Sequence, residues 1–401
     1  MKILITNITL VDFGGSQLYT FDLVKYLSKQ GHEVVVFSPS LGPVSEEIAK
    51  LKNVVITSNL EEIKDIKFDI LHIHHNVNAY LVREYFPNVP ALMVIHGVLP
   101  EFEQPPQMDL GISLYIAISQ EIKEHLVKNY GIPESKIKII HNWVNKEKFK
   151  KTSEINKNPK RMLVVSNHYT EEHKKVYESV CKDRDINLVH VGLPENSVAN
   201  VEDYINNSDV VVTIGRGAME SMALGRNVII SDIHGMDGML TSDSYLESVK
   251  NNLSGRRYAK TVTRKNFETE LDKYSLANGR EMEKIVEEHH SREKNIEAIL
   301  EEYRNIQSSK VKLNMDFVKI LTELKILSRT NGQKEVALYG YRLRDKYLEE
   351  ENKRYQEILM KNKQLEEENE KYQEILNTYR GSKIIKLAEK YWAIRSKIRG
   401  E

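Results

Sequence analysis

The sequence predicts an α/β protein with two parallel-sheet domains and an α-helical C-terminal extension. Its 401 residues are too many for one compact hydrophobic core. Short apolar segments alternate with amphipathic ones in two separate stretches, as expected for parallel strands covered by helices on both faces. Beyond about Asn266 the strand pattern ends and charged sequence follows. We therefore expect α/β domains at residues 1–150 and 151–308.

The first domain is predicted from a series of short apolar runs that read as strands. These are Lys2–Thr6, Glu33–Ser38, Ile70–Ile73, Ala91–Ile95, Tyr115–Ile118 and Lys138–Ile140. Amphipathic segments between them, such as Gln17–Lys29 and Gln120–Asn129, are predicted helices.

The second domain begins after a polar, lysine-rich stretch, Lys146–Lys160, which we interpret as an interdomain linker. The alternation of strand and helix patterns then restarts. The predicted strands are Arg161–Ser166, Asn187–Val191, Asp209–Ile214 and Asn227–Ser231. Residues Gly279–Gln307 are predicted to form one long helix or two.

The remaining chain is predicted to be helical throughout, with a linker at residues 309–344 and a coiled coil at 345–380. An apolar seam with heptad spacing runs through the second segment, and Asn362 and Asn369 lie on it. Asparagine at core positions favours a specific parallel coil of low order, which predicts a homo-oligomer. The alternative is a single charged helix folded back on the body of the protein.

Residues 381–401 are predicted to form a basic amphipathic helix. Ile384, Leu387, Tyr391, Ile394 and Ile398 fall on one helical stripe, and cationic residues dominate the rest. Such a helix suits an anionic membrane surface, and an ordinary helix packed on a partner domain fits equally well.

Composition excludes several classes of protein. Lys+Arg and Asp+Glu both number 58, so bulk charge gives no reason to expect nucleic-acid binding. The single cysteine, Cys181, rules out an internal disulfide and a cysteine-based zinc site. No signal-peptide pattern or apolar run of about 20 residues is present. We expect a cytoplasmic protein, with the basic helix placing it at the inner face of the membrane.

Glycines and histidines mark the candidate site of the first domain. Gly14 and Gly15 follow the first strand, where glycine permits close approach of a ligand and a helix N-terminus favours an anion; a tight turn is the alternative. His72 and His74 lie on one face of a strand, where a metal site is conceivable but has no supporting carboxylate nearby. His96 follows a strand at the carboxyl edge of the sheet, where ligands bind in parallel sheets.

The second domain carries a Gly215-Arg216-Gly217 turn ahead of a helix. Two glycines, a guanidinium and a helix N-terminus are suited to a diphosphate. Glu220, one turn later, is placed to accept hydrogen bonds from ribose hydroxyls. The alternative interpretation is an ion pair between Arg216 and Glu220 at i and i+4.

Together these motifs resemble glycosyltransferase family 4, the retaining enzymes of the GT-B fold, over about residues 1–305. The N-terminal glycine pair, FDILHIHH, ALMVIHG, YIAISQEIKEHL, IPESKIKIIHNWVNKEKF, AMESMALGRNVIISD and HSREKNIEAILEEY occur in the order of that family. The resemblance implies two Rossmann-like domains facing a cleft, with the acceptor on the first domain and the donor on the second.

The resemblance also implies roles for individual residues. Gly14 and Gly15 match the glycine loop near the phosphates, and His96 matches the histidine that contacts the donor sugar. Asn142 matches an asparagine that enters the linker, and Glu220 the second glutamate of the family's pair, which holds the ribose. Donor contacts are thus expected from Gly14, Gly15, Asn142, Gly215, Arg216, Gly217 and Glu220, with His96 and Arg216 acting in catalysis.

Two departures from the family pattern concern the donor site. Val212 stands where the family has its first glutamate, and the usual Arg and Lys of the second domain are absent. Lys174 or Lys175 could substitute as phosphate contacts. No metal or other cofactor is expected if protein groups neutralise the diphosphate.

The expected function is transfer of a sugar, with retention, from a nucleoside-diphosphate sugar to a glycan or lipid-linked acceptor in cell-surface polysaccharide or glycoconjugate synthesis. The rival from another class is a non-catalytic GT-B scaffold or glycan-binding subunit, which the missing glutamate favours. A nucleotide-sugar epimerase shares the fold and is the second rival.

Overall fold

The computed structural model describes residues 1–11, 13–99, 101–106, 109–192, 196, 198, 200–311, 360–361, 363 and 390–393. The predicted helical linker, coiled coil and basic helix lie outside the described residues, apart from a few isolated positions.

Two β-sheets are built from segments that the sequence separates cleanly. The first contains β1 (Lys2–Thr6), β2 (Glu33–Phe37), β3 (Val54–Thr57), β4 (Ile70–His74), β5 (Ala91–Ile95), β6 (Leu114–Ala117) and β7 (Ile137–Ile139). The second contains β8 (Arg161–Val165), β9 (Asn187–Val191), β10 (Val210–Thr213), β11 (Asn227–Asp232) and β12 (Gly235–Met239).

Helices connect these strands and close the described part of the chain. Those of the first half are α1 (Gly15–Lys29), α2 (Pro43–Ala49), α3 (Asn76–Tyr85) and α4 (Gln120–Tyr130). Those of the second half are α5 (Glu171–Asp183), α6 (Val201–Asn206), α7 (Gly215–Ala223), α8 (Ser242–Ser248), α9 (Arg264–Leu271), α10 (Leu276–His289) and α11 (Arg292–Ile306).

The first sheet is parallel throughout, in the order β3-β2-β1-β4-β5-β6-β7. The chain moves outward from β1 to β3 and then returns to place β4 on the other side of β1. A crevice for ligands forms where the strand order reverses in this way, outside the carboxyl ends of the strands. In this sheet that position lies between the ends of β1 and β4.

The second sheet has the order β12-β11-β10-β8-β9 and is parallel except for β12. Its reversal lies between β8 and β10. The antiparallel strand β12 escaped prediction because its sequence, GMDGM, contains two glycines and an aspartate, which are depleted in strands. The short edge strand β3 was also missing from the predicted set.

The α/β architecture with two sheets is confirmed. The predicted bounds of β1, β5 and β9 agree with the structure to the residue, and the other predicted strands differ by one or two positions. The predicted helical stretch Gly279–Gln307 is divided into α10 and α11. The domain boundary at residue 150 stays a prediction.

Helix α11 follows the second sheet in sequence but packs into the core of the first. Its large apolar residues recur at helical spacing and are all buried in that core: Ile296, Ile299, Leu300, Tyr303 and Ile306. The polar face of the same helix, which includes Glu301, is exposed. The core under the first sheet is therefore incomplete until residue 306 has been added.

Within the described ranges, no helix combines the length and the apolar character that crossing a membrane would require.

Replacing Ile299 by alanine should destabilise the protein, because the side chain is fully buried in the core of the first sheet. A buried Ile→Ala change costs about 2–5 kcal/mol through lost apolar burial and the cavity it leaves. The matched control is Glu301→Ala on the exposed face of α11, with an expected change within about 0.5 kcal/mol. Chemical denaturation measures both. Equal stability of the two variants would contradict the placement of α11.

Candidate functional site

The glycine pair of the first domain lies at the reversal of the first sheet. Gly14 is the N-cap of α1 with extended backbone, and Gly15 is the first helical residue. A Cβ added at Gly15 would have no atom within 4 Å, and one added at Gly14 would meet only the mobile end of Gln17. Neither glycine is required by the local fold, so open space beside α1 remains for a ligand.

The local structure accounts for the two glycines of the second-domain turn, Gly215 and Gly217. Gly215 has a φ of +53°, in the left-handed region that favours glycine. A Cβ on Gly217 would lie 2.5 Å from Oγ1 of Thr213 at the end of β10. Backbone conformation explains Gly215, and packing of α7 against its own strand explains Gly217, so neither glycine requires a ligand.

Arg216, between these glycines, is held by two carboxylates. Its Nε donates to Oε1 of Glu220 at 2.7 Å, and its Nη2 donates to Oδ2 of Asp22 on α1 at 3.1 Å. The amide of Asn145 donates to the other oxygen of Asp22 at 2.9 Å. The ion pair that the sequence offered as the alternative for Arg216 and Glu220 is therefore formed, and it extends to α1.

The net charge of the cluster formed by Asp22, Arg216 and Glu220 opposes the binding of an anion. One guanidinium faces two carboxylates, and the side chains of Asp22 and Glu220 are only 3% and 9% exposed. Burial raises the pKa of Glu220 more than Arg216 lowers it. A diphosphate that binds Arg216 must first compete with Asp22. The roles of Arg216 and Glu220 as donor contacts stay predictions.

A second ion pair joins the loops at the carboxyl edges of the two sheets. Nη2 of Arg256, in the loop after α8, lies 2.6 Å from Oε2 of Glu121 in the first turn of α4. Because α4 follows β6 and α7 follows β10, this contact and the Asp22–Arg216 pair bring the carboxyl edges towards each other. Ligands bind at such edges in parallel sheets.

His96 ends a row of histidines that crosses the first sheet. It follows β5 directly, and its Nε2 lies 2.8 Å from Nδ1 of His74 on β4. Nε2 of His74 lies 3.1 Å from Nε2 of His72. The expectation that His72 and His74 share a face is confirmed. The ring of Tyr19 on α1 packs edge-on against His74 and His96, with centroids 5.3 and 4.9 Å away.

The neighbouring His75 belongs to a separate contact. It has a φ of +70°, which is strained for a side chain of this size. Its Nδ1 accepts the backbone N–H of Ile8, and its Nε2 lies 3.4 Å from Oε1 of Glu103. Burial by itself raises the pKa of Glu103. The hydrogen bond and the charge of His75 outweigh burial, so the pKa of Glu103 lies below its usual value. The carboxylate Oε2 has no hydrogen-bond partner among the described residues.

The carboxyl edge of the second sheet carries a polar cluster that the sequence-based prediction missed. His168 follows β8, and its Nδ1 lies 3.2 Å from Oδ2 of Asp232 at the end of β11. Ser166 donates to the same carboxylate at 3.4 Å, and its own carbonyl lies 2.8 Å from Nε2 of His190. These residues come from three strands, so only sheet order brings them together.

Other predicted site residues are dispersed. Lys174 on α5 forms an exposed i, i+3 ion pair with Glu171, and Lys175 is exposed on the same helix. The backbone carbonyl of Asn142 accepts from Nδ1 of His290 at 2.7 Å. Val212 is buried within β10, so the family's first glutamate has no equivalent at that position.

The metal interpretation of the histidine strand receives no support. In the part of the chain that the structure describes, no group of three or more His, Cys, Asp or Glu side chains is arranged to hold a metal ion. His72 and His74 point their Nε2 atoms at each other, at hydrogen-bond distance.

Residues 13–148 match the family model described as Glycosyltransferase Family 4. This range covers α1, most of the first sheet and the start of the linker, which is less than half of the chain. No protein of curated function matches the chain at a significant level.

Several solved structures of glycosyltransferases are similar to this chain. A glycosyltransferase from Rickettsia africae ESF-5 is 19% identical, with a TM-score of 0.56 over 77% of this chain and 99% of that one. The glycotransferase of kitacinnamycin is 12% identical, with a TM-score of 0.46 over 75% and 99%. WaaG, a glycosyltransferase involved in lipopolysaccharide biosynthesis, is 11% identical, with a TM-score of 0.46 over 74% and 99%. The similarity to the Rickettsia structure shows that residues of this chain adopt the GT-B fold.

Replacing Arg216 by alanine should destabilise the protein by about 3 kcal/mol at neutral pH, because it leaves two buried carboxylates without their cation. Removing the guanidinium raises the folded-state pKa of Glu220 further above its unfolded value. A carboxyl group with a raised folded pKa contributes full stability below the unfolded pKa and loses it as pH rises through the folded pKa. The deficit should therefore shrink as the buffer is made mildly acidic.

Denaturant titrations at several pH values measure this deficit. The control is Arg304→Ala, which removes an exposed pair with Glu297 and should cost less than about 1 kcal/mol at every pH. If the loss of stability in Arg216→Ala does not change with pH, the unpaired carboxylates are not its cause.

Proposed function

We propose that this protein is a glycosyltransferase that moves a sugar, with retention, from a nucleoside-diphosphate sugar to an acceptor hydroxyl. The observation that carries the proposal is the position of the two glycine turns. Gly14–Gly15 and Gly215–Gly217 lie beside the reversals of the two sheets, and Arg216 of one turn bonds Asp22 on the helix that begins at the other. The family match of residues 13–148 and the GT-B fold support the same assignment.

In the proposed reaction the sugar passes through an oxocarbenium-like state while negative charge grows on the departing diphosphate. The diphosphate lies at the N-terminus of α7, where backbone N–H groups and the helix dipole favour an anion. Arg216 joins them when the ligand displaces Asp22, and Lys174 or Lys175 supply further charge. Glu220 holds the ribose, and His96 faces the sugar from the first domain. We propose that these groups suffice without a metal ion.

The acceptor is proposed to be a glycan or lipid-linked glycan of the cell surface. The enzyme would meet it at the cytoplasmic face of the membrane, as an oligomer assembled by the extension. The acceptor is proposed from the family resemblance together with the sequence of residues 345–401, and the oligomer and the membrane location are proposed from that sequence alone.

One observation favours a second candidate, a non-catalytic GT-B protein that binds a glycan or assembles a glycosylation complex. Val212 fills the position of a glutamate that the family places near the sugar, and Arg216 is occupied by two carboxylates. A protein that has lost donor chemistry could keep both features.

Thermal unfolding with UDP, GDP, ADP, CMP and dTDP, each with and without magnesium, separates the two candidates. A ligand at a hundred times its dissociation constant stabilises the folded state by about 2.7 kcal/mol. We expect one nucleoside diphosphate to raise the melting temperature without metal. Its sugar conjugate should then release the nucleotide on turnover and give a product with the donor's anomeric configuration. No shift with any nucleotide would favour the non-catalytic protein, and a shift that needs magnesium would overturn the metal-free site.

The substitution Asp22→Asn should strengthen nucleotide binding if the diphosphate competes with Asp22 for Arg216. The amide keeps the shape of the side chain but removes its charge, and we expect a dissociation constant about tenfold lower, or about 1.4 kcal/mol. The control is Glu147→Gln, which removes a carboxylate charge at the surface. Glu147 forms ion pairs with Lys25 and Lys29, which lie on α1 like Asp22. Isothermal titration measures both variants. Unchanged or weaker binding by Asp22→Asn would remove Arg216 from the phosphate site.

A further inference from the structure

A continuous row of hydrogen-bonding side chains links α11 to the carboxyl edge of β5. The hydroxyl of Tyr303 lies 2.6 Å from Nδ1 of His72. Nε2 of His72 lies 3.1 Å from Nε2 of His74, and Nδ1 of His74 lies 2.8 Å from Nε2 of His96. The row uses both nitrogens of His72 and of His74. Its last free position is Nδ1 of His96, which has no hydrogen-bond partner among the described residues.

The three imidazoles in this row are neutral at physiological pH. Burial lowers the pKa of His72 to about 3 and that of His96 to about 4. Burial also lowers the pKa of His74 well below its usual value. A neutral imidazole carries one N–H and one acceptor nitrogen. Each ring that bonds on both sides must therefore donate on one side and accept on the other. All the hydrogen bonds in the row consequently run in the same direction.

Tyr303 decides which direction that is. Its side chain is fully buried, and Nδ1 of His72 is the one hydrogen-bond partner that the described residues offer its hydroxyl. If His72 donated to the phenol, the hydroxyl proton would be buried without an acceptor, which is costly. Tyr303 therefore donates to Nδ1 of His72. It follows that Nε2 of His72 donates to His74, and Nδ1 of His74 donates to Nε2 of His96.

The packing around the row keeps these bonds in place. Tyr19 on α1 contacts the rings of His74 and His96, and Trp143 lies against Tyr19 with ring centroids 4.2 Å apart. The rings of His74 and His96 are stacked at 5.0 Å. His74 is fully buried beneath these contacts, so bulk solvent does not reach its ring.

We propose that Tyr303, acting through His72 and His74, is a positioning residue that holds His96 as the tautomer with its proton on Nδ1. This inference rests on the proposed function in one respect, namely that His96 faces the donor sugar. A neutral Nδ1–H donor recognises an acceptor oxygen, such as a sugar hydroxyl, and adds no positive charge beside an oxocarbenium-like centre. The opposite tautomer would present a lone pair and would instead require a donor from the sugar.

The structure contains a second buried Tyr–His pair that serves as a matched control. The hydroxyl of Tyr245 lies 2.8 Å from Nε2 of His290, while Nδ1 of His290 lies 2.7 Å from the carbonyl oxygen of Asn142. A carbonyl can only accept, so His290 carries its proton on Nδ1 whatever Tyr245 does. Loss of the Tyr245 hydroxyl should leave the tautomer of His290 unchanged.

The test is long-range ¹H–¹⁵N NMR of the full chain with ¹⁵N-labelled histidine, which distinguishes protonated from unprotonated ring nitrogens. The His96 signals are assigned by their loss in His96→Gln. We expect Nδ1 of His96 to be protonated in the unaltered protein. In Tyr303→Phe this preference should be lost and both tautomers of His96 should appear. In Tyr245→Phe both His96 and His290 should keep the proton on Nδ1.

A proton on Nε2 of His96 in the unaltered protein would overturn the proposal, and so would a tautomer of His96 that survives in Tyr303→Phe. If Tyr303→Phe does not fold, His72→Asn interrupts the row at the next position and is expected to release the tautomer in the same way.

A kinetic arm separates failure of this inference from failure of the proposed function. With the donor found in the nucleotide panel, Tyr303→Phe should lower kcat/KM about tenfold while the affinity for the nucleoside diphosphate stays the same, since that ligand lacks the sugar. Equal loss of nucleotide affinity would show a structural effect and count against the positioning role. If no nucleotide binds, the proposed function fails, while the NMR result still decides the tautomer.

Discussion

The burial of one face of α11 in the core of the first sheet is the constraint on which the rest of the structure depends. The chain completes the second sheet before it reaches this helix, and the helix then returns to the first sheet with Ile296, Ile299 and Leu300 fully or almost fully buried. Two segments that are far apart in sequence therefore share one hydrophobic core. The same return brings Tyr303 to His72, 231 residues away along the chain, so the helix contributes to the site as well as to the core.

Electrostatics between α1 and α7 add a second constraint. Arg216 satisfies Asp22 and Glu220 together, and each carboxylate would be costly to bury without it. The cluster has one charge too many on the acidic side, which makes Asp22 the group that an incoming anion would displace. Arg216, which the sequence suggests as a ligand contact, thus also joins α7 to α1. Its guanidinium cannot bind an anion in the place that Asp22 occupies while it remains paired with Asp22.

The histidines show how a motif changes meaning once its neighbours are known. In the sequence His72 and His74 are two residues of a strand, and metal binding is among the uses of such a pair. In the fold their ring nitrogens face each other and are extended by Tyr303 on one side and His96 on the other. Burial keeps the rings neutral, so hydrogen bonding sets their chemistry.

The sequence by itself determined ten of the twelve strands that the structure describes, the helices α1 and α4, the helical stretch that contains α11, and the glycine turns. These features depend on local periodicity and on backbone conformations that neighbouring residues impose. It also marked His96 and Glu220 through a family resemblance. It did not indicate the edge strand β3. It also did not indicate β12, because glycine and aspartate conceal a strand that pairing with β11 stabilises.

Only the tertiary structure decided that Asp22 meets Arg216, that His168 meets Asp232 and that Tyr303 meets His72. Each of these pairs joins elements separated by tens to hundreds of residues. No periodic pattern encodes such a contact, since its cause is the order of strands in a sheet and the return of a helix to a distant core.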